Sequence, residues 1–142
     1  MKNKLTIAIT AVAVIFGMAF GKAIVKGLFP KGGSVSNIEA LVESSKQINA
    51  SLPMQVDAGT RLDSTMAGPG SRFTYMYTLV NNTSSELNSV DFINAMKPNL
   101  INGYKTNPAM AVYRKNDVEL HYYYRDKNGS IVAKIVISPK DF

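Results

Sequence analysis

The sequence has no cysteine and no tryptophan, and it has a single histidine among 142 residues. Without cysteine, the chain can form no disulfide, thiol nucleophile or cysteine-ligated zinc site. One imidazole cannot supply the two or three histidines that most catalytic zinc sites use. The sequence also lacks the G-x-S-x-G, H-E-x-x-H, phosphate-loop and dinucleotide-binding motifs. These absences disfavour an enzyme and predict no metal and no cofactor.

Acidic residues are missing from the first 33 positions, which hold five of the 16 basic residues. The remainder of the chain carries the other 11 basic residues and all 10 acidic ones. The formal charge of +6 therefore comes almost entirely from the N-terminal segment. A nucleic-acid-binding domain normally has a basic face of its own, so we expect no nucleic acid partner.

Residues 5–21 form an uncharged, largely apolar run that follows Lys2 and Lys4. A helix needs about 20 residues to cross the hydrocarbon core of a bilayer, and apolar residues resume after the run. This pattern predicts an N-terminal transmembrane anchor over residues 1–29 that contacts the membrane through residues 5–29. We expect a single pass of a bacterial inner membrane, with the C-terminal part in the periplasm.

Small residues near the end of this segment leave two further interpretations open. Ala19 and Gly21 fit the positions that a signal peptidase reads, and cleavage before Lys22 would release a periplasmic or secreted protein. Gly17 and Gly21 also have the GxxxG spacing of membrane helices that dimerise, which would allow a homodimer.

A flexible tether is predicted over residues 30–35, where proline and paired glycines oppose a helix. One domain is predicted over residues 36–142. Its first helix should run from Asn37 to Ala50, because Ser36 and Glu39 form a capping-box pattern ahead of apolar residues at helical spacing.

Alternating apolar and polar residues predict four strands, in two hairpins that glycine-containing turns connect. The predicted strands are Thr60–Met66 and Arg72–Val80 in the first hairpin, and Val118–Arg125 and Ile131–Ser138 in the second. The turns fall at residues 67–71 and 126–129.

Between the hairpins, Ser89 is predicted to cap a second helix. Pro98 falls inside its apolar pattern, so this helix either kinks or restarts there. Asn107 and Pro108 favour one more short helical turn that reaches Tyr113.

These elements predict an α+β fold. The expected domain is an antiparallel sheet of about four strands with helices packed on one face, preceded by one N-terminal transmembrane or signal helix.

The densest polar cluster is Asp57, Arg61 and Asp63. In an extended strand Arg61 and Asp63 point to the same side, and carboxylates beside an arginine can bind a ligand or a partner. The alternative is structural, with an ion pair and an Asx turn that fix a loop to a strand. His121 lies within a predicted strand, as a candidate catalytic group or a hydrogen-bonded residue of the sheet.

Tyrosines are concentrated on two predicted strands. Tyr75 and Tyr77 share one face of their strand, while Tyr123 points opposite to Tyr122 and Tyr124. Exposed tyrosines often anchor protein contacts, so Tyr75, Tyr77 and Tyr123 are candidate partner-binding residues. The alternative is that they form cross-strand pairs that stabilise the sheet.

Residues 52–63, the Gly68–Gly70 turn and residues 73–81 together resemble a group of small exported or membrane-anchored bacterial proteins that are uncharacterised. The resemblance spans roughly the folded domain. It implies a bacterial exported domain and assigns no catalytic residue.

The features above favour a membrane-anchored extracytoplasmic module that binds another envelope protein. The alternative is a small secreted or periplasmic hydrolase or ligand-binding protein that uses the Asp57, Arg61 and Asp63 cluster or His121. That alternative requires these side chains to converge in one pocket.

Overall fold

The computed structural model describes residues 37–107 and 110–141 of the chain. The predicted membrane segment over residues 1–29, the cleavage position before Lys22, the Gly17 and Gly21 pair and the tether all lie outside the described residues. Within the described ranges, no helix has both the length and the apolar character that a membrane crossing needs.

The described residues form three α-helices and five strands. The helices are α1 (Asn37–Asn49), α2 (Ser89–Thr106) and α3 (Ala111–Lys115), and the strands are β1 (Met54–Asp57), β2 (Thr60–Ala67), β3 (Arg72–Leu79), β4 (Glu119–Arg125) and β5 (Ile131–Ile137). Short 3-10 turns lie at Ser84–Glu86 and Pro139–Asp141. The α+β class is confirmed.

The sheet has five strands in the order β1-β2-β3-β4-β5, so the prediction of about four strands was one short. The strand that sequence analysis missed is β1, whose four residues are too few for a clear alternation. The prediction of a wholly antiparallel sheet was also wrong, because β3 and β4 run parallel. Helices α2 and α3 carry the chain back to the start of β3 before β4 begins, and this return makes the two strands parallel.

The boundaries of α1 agree with the prediction to within one residue, since this helix ends at Asn49, whereas the cap of α2 differs. The cap of α2 is Asn88 and not Ser89, since the Asn88 side chain accepts a hydrogen bond from the Asp91 N–H at 3.0 Å. Helix α2 continues through Pro98 without a restart. Helix α3 begins at Ala111 and includes Tyr113, whereas residues 108 and 109, near the predicted start of this turn, lie outside the described residues.

The core lies on the sheet face that α1 and α2 cover, and central tyrosines fill it. In the parallel register Tyr75 lies beside Tyr122, and Tyr77 beside Tyr124. The first pair stacks with ring centroids 5.2 Å apart and the second with centroids 5.0 Å apart. Phe92 of α2 meets the Tyr124 ring edge-on at 4.9 Å. The tyrosine rows therefore join the two hairpins to the helical layer.

Polar contacts fix α1 against β2. The Asn49 side chain accepts a hydrogen bond from the Thr65 N–H at 2.8 Å and donates to the Thr65 carbonyl at 3.0 Å. The Ser45 hydroxyl also donates to that carbonyl, at 2.9 Å. Register pairs of β1 and β2 extend no further than Leu62, so Thr65 lies on a stretch of edge where Asn49 serves as its partner.

Asp126 fixes the turn between β4 and β5. Its carboxylate accepts backbone N–H groups from Ser84 at 2.7 Å, Asn128 at 2.8 Å and Ser130 at 2.9 Å. These hydrogen bonds, first of all that from Ser84, lower the pKa of Asp126. At the same turn Gly129 has a φ of +88°, which glycine adopts without strain. The predicted second hairpin is confirmed, and Asp126 connects it to the loop before α2.

Candidate functional site

The sheet face opposite the core, here called the open face, is covered by none of the described helices. Register places the following residues on it: Gln55, Arg61, Ser64, Met66, Arg72, Thr74, Met76, Thr78, Glu119, His121, Tyr123, Arg125, Ile131, Lys134 and Val136. Met66 is 48% exposed, Ile131 47% and Val136 40%. The open face therefore combines accessible apolar side chains with charged ones.

Arg61 and Asp63 form the first polar group of this face. The Arg61 Nε donates to Asp63 Oδ1 at 2.5 Å, and the Thr78 hydroxyl donates to Asp63 Oδ2. The pairing register between β2 and β3 shifts between Leu62 and Ser64, which leaves Asp63 out of the regular pairing. The Arg61 side chain is 42% exposed and that of Asp63 is 30% exposed, so both are accessible to a partner.

Asp57 does not join this group. Its Oδ1 accepts the Gly59 N–H at 2.7 Å in an Asx turn, and its backbone pairs with Thr60, a core-facing residue. The three residues that sequence analysis grouped are therefore divided, with Asp57 in the turn and the Arg61–Asp63 pair on the open face. The ion pair and the Asx turn are the two contacts of the structural alternative.

His121 belongs to a second polar group on β4. Its Nε2 lies 2.5 Å from Glu119 Oε1, and the same oxygen is 3.9 Å from the Nε of Arg72 on β3. The His121 side chain is 9% exposed. One carboxylate thus contacts both the imidazole and the guanidinium, which holds the histidine against the sheet.

The three candidate tyrosines have different environments. Tyr75 and Tyr77 are each 1% exposed in the core, so their side chains are not available to a partner at the surface. Burial raises the pKa of both phenols. Tyr123 is half-buried on the open face, where the Lys134 ammonium lies 5.2 Å from its ring centroid.

The side chains required for a hydrolase do not converge. His121 pairs with Thr74 of β3, whereas Arg61 pairs with Thr78, four residues further along the same strand. At about 3.3 Å per residue and about 4.8 Å per strand, the two side chains are roughly 13 Å apart along the strands and about 10 Å apart across them. Among the residues that the structure describes, no group of three or more His, Asp or Glu side chains could hold a metal ion.

Sequence analysis can place Glu119 and His121 on one face of β4, because alternation along a single strand shows this. It missed Arg72 and Lys134 as their neighbours, since both belong to adjacent strands. A β3–β4 register would have predicted the Arg72 contact, but that register depends on the parallel pairing, which no local pattern indicates.

A family model described as a domain of unknown function (DUF8479) matches residues 37–133. The chain belongs to the DUF8479 family. The match begins at the first residue of α1 and ends within β5, so the DUF8479 domain includes most of the sheet and both open-face groups. No curated protein matches the chain.

Solved structures share the fold of this DUF8479 domain at very low identity. The type II secretion system pilotin AspS from Vibrio cholerae is 9% identical with a TM-score of 0.56, over 75% of this chain and 92% of that one. The pilotin EpsS of the Vibrio vulnificus type 2 secretion system is 7% identical with a TM-score of 0.58, over 73% and 89%. A putative secreted protein from Pseudomonas aeruginosa is 12% identical with a TM-score of 0.58, over 74% and 95%. At such identities the likeness shows the fold alone.

Proposed function

We propose that this protein is a membrane-tethered extracytoplasmic module that binds another protein of the bacterial envelope, in a role like that of a secretion-system pilotin. The observation that carries the proposal is the open face, where Met66, Tyr123 and Val136 are accessible beside charged groups. Mixed apolar, aromatic and cationic surfaces of this kind are typical of protein interfaces.

The fold comparison supports the same proposal by analogy. Two of the structures that share this fold are named as type II secretion system pilotins, and the third as a putative secreted protein. A fold hosts many functions, so the analogy gives the class of role and the open face gives the surface.

The proposal includes the N-terminal segment. Residues 5–29 would hold the domain over residues 36–142 at the outer side of the inner membrane, or cleavage before Lys22 would release it into the periplasm. Intact mass of the protein from membrane and periplasmic fractions distinguishes these two forms. A mass for the chain from Met1 in the membrane fraction supports the anchor, and a mass that starts at Lys22 supports release.

The interaction can be tested by chemical cross-linking in cells, followed by capture of the full chain and mass spectrometry. Met66→Glu places a charge on the open face, whereas Val90→Glu is a matched change at a residue of α2 that is 65% exposed. We expect one envelope protein to be cross-linked by the wild type and by Val90→Glu, and to be lost with Met66→Glu. Repeated recovery of no specific envelope protein, or equal recovery with both variants, would contradict the proposal.

A further inference from the structure

Strand β5 is an edge of the sheet, and the direction of its backbone groups follows from β4. The Glu119 N–H donates to the Ser71 carbonyl at 2.8 Å, toward β3. Backbone groups alternate in direction along a strand, so Leu120, Tyr122 and Tyr124 direct theirs toward β5. Their register partners on β5 are Ile137, Ile135 and Ala133. The even-numbered residues of β5 therefore direct their N–H and C=O groups to the outer edge.

Side chains cap both ends of this outer edge. At one end the Ser89 hydroxyl donates to the Val132 carbonyl at 2.6 Å. At the other end the Asp141 carboxylate accepts the Ser138 N–H at 2.7 Å. Between these caps, the N–H and C=O groups of Lys134 and Val136 have no hydrogen-bond partner in the described part of the chain. We call the outward backbone groups of these two residues the edge slot.

The other edge of the sheet is closed by different means. Strand β1 is only four residues long and has a register shift between Gln55 and Asp57. Beyond β1, Asn49 satisfies both backbone groups of Thr65. Short, irregular or capped edges are how sheets avoid unwanted pairing, so the edge slot is an exception in this fold.

A lysine on an edge strand often guards that edge against pairing. Here the Lys134 ammonium lies over the ring of Tyr123, which belongs to the neighbouring strand β4. The side chain is thus turned across the sheet and away from the outer edge. Lys134 leaves the slot accessible and contributes a positive charge beside it.

We propose that the edge slot binds an extended segment of a partner protein, which adds a sixth strand to the sheet and places an acidic side chain opposite Lys134. Backbone donors and acceptors that alternate at strand spacing are complementary to another extended strand. Lys134 is the only charged residue of β5, so the charge at the slot favours an acidic segment. A second copy of this chain that paired Lys134 with its own equivalent would bring two like charges into direct opposition, which is destabilising.

A shallow groove lies beside the residue that caps the end of β5. It is lined by Asn94, Lys97, Pro98, Ile101, Asn102, Lys105 and Asp141. The groove thus lies between α2 and the residue that caps the end of β5. Two lysines on its α2 side add to the positive charge near this end of β5.

The inference rests on the proposed function, because it specifies the segment that an envelope partner would contribute. The probe is the acetylated and amidated peptide Val-Thr-Glu-Thr-Val, added to the ¹⁵N-labelled full chain in detergent micelles. We expect the amide resonances of Lys134 and Val136 to shift and their hydrogen exchange to slow. N-methylation of the glutamate and both valines should abolish binding, because it removes the donors of one peptide edge.

Charge reversal tests the acidic preference. With Lys134→Glu in the protein, affinity for the glutamate peptide should fall about tenfold, and the peptide with lysine in place of glutamate should regain it. The matched control is Lys46→Glu, an exposed lysine on α1, which packs over β2 at the other side of the sheet. This control should bind both peptides as the wild type does.

Three outcomes of the measurements on the isolated protein would overturn the inference. Binding that N-methylation leaves unchanged would show that the peptide adds no strand. Slow exchange of both slot amides without peptide would show that the chain itself covers the edge. A peptide-free dimer that Val136→Pro abolishes would assign the slot to a second copy.

An envelope partner captured equally by the wild type and by Lys134→Glu, but lost with Met66→Glu, would leave the proposed function standing and refute the slot. Peptide binding at the slot without any captured envelope partner would support the slot and refute the proposed function.

Discussion

Replacing Tyr124 with Phe removes a buried hydroxyl that has no hydrogen-bond partner in the described part of the chain. The ring itself is 0% exposed and stacks on Tyr77, so its packing should survive the change. A buried polar group without a partner costs about 1–3 kcal/mol of desolvation. We take the lower end, because a hydroxyl can rotate toward weak contacts, and expect Tyr124→Phe to raise the free energy of unfolding by about 1 kcal/mol.

The same substitution at Tyr104 should have the opposite effect and lower the free energy of unfolding. The Tyr104 hydroxyl donates to the Val118 carbonyl at 2.6 Å, and both residues are buried. Tyr104→Phe therefore removes a hydrogen bond and leaves a buried carbonyl without that donor, at a cost of about 1–2 kcal/mol. The two variants should differ by roughly 2–3 kcal/mol, although each lacks a single oxygen atom.

Urea unfolding of the full chain in mild detergent at pH 7, followed by circular dichroism, measures both values. Tyr123→Phe is the matched control on the open face, and it should change stability by less than about 0.5 kcal/mol. If Tyr124→Phe destabilises the protein as much as Tyr104→Phe does, the Tyr124 hydroxyl has a partner in solution and the reasoning from its isolation is wrong.

Two further predictions concern Asp126 and the Arg61–Asp63 pair. Hydrogen bonding lowers the pKa of Asp126 in the folded protein. The ionised carboxylate therefore stabilises the fold fully above the pKa of about 4 that Asp126 has in the unfolded chain, and this stabilisation is lost as pH falls through the lower pKa of the folded state. Asp126→Asn should be less stable than the wild type at pH 7, and its stability should depend less on acid pH. If the free energy of unfolding falls equally in both proteins between pH 6 and pH 2, this prediction is wrong. Arg61→Ala should cost less than about 1 kcal/mol in urea unfolding, because the ion pair is partly exposed, whereas Asp63→Ala should cost more because Thr78 also loses its acceptor. A larger effect of Arg61→Ala than of Asp63→Ala would contradict this assignment.

Local patterns predicted most of the individual elements. Apolar spacing from Leu41 to Ile48 indicated α1, and the alternation along Phe73–Leu79 indicated β3, within one residue of the observed ends. These signals are strong because each face of such an element has one environment throughout. Strand β1 was missed because a four-residue strand contains too few repeats of the pattern.

The arrangement of the elements depended on information that local patterns do not contain. The β3–β4 pairing joins residues more than 40 positions apart, and its parallel direction follows from where α2 and α3 return the chain. For the same reason the sequence could not show which tyrosines are buried. Tyr75 and Tyr77 are core residues because β4 places Tyr122 and Tyr124 beside them, whereas Tyr123 projects from the opposite face.

The parallel pairing also has a consequence for synthesis of the chain. Strand β3 is rich in aromatic residues, and its lateral neighbour β4 emerges from the ribosome only after α2 and α3. Until residues 119–125 are available, β3 has an unpaired edge beside a hydrophobic face, which is the kind of intermediate that aggregates. The chain therefore cannot complete its sheet until β4 and β5 have been synthesised. A chaperone that binds the nascent chain would therefore be needed most between the emergence of β3 and that of β4.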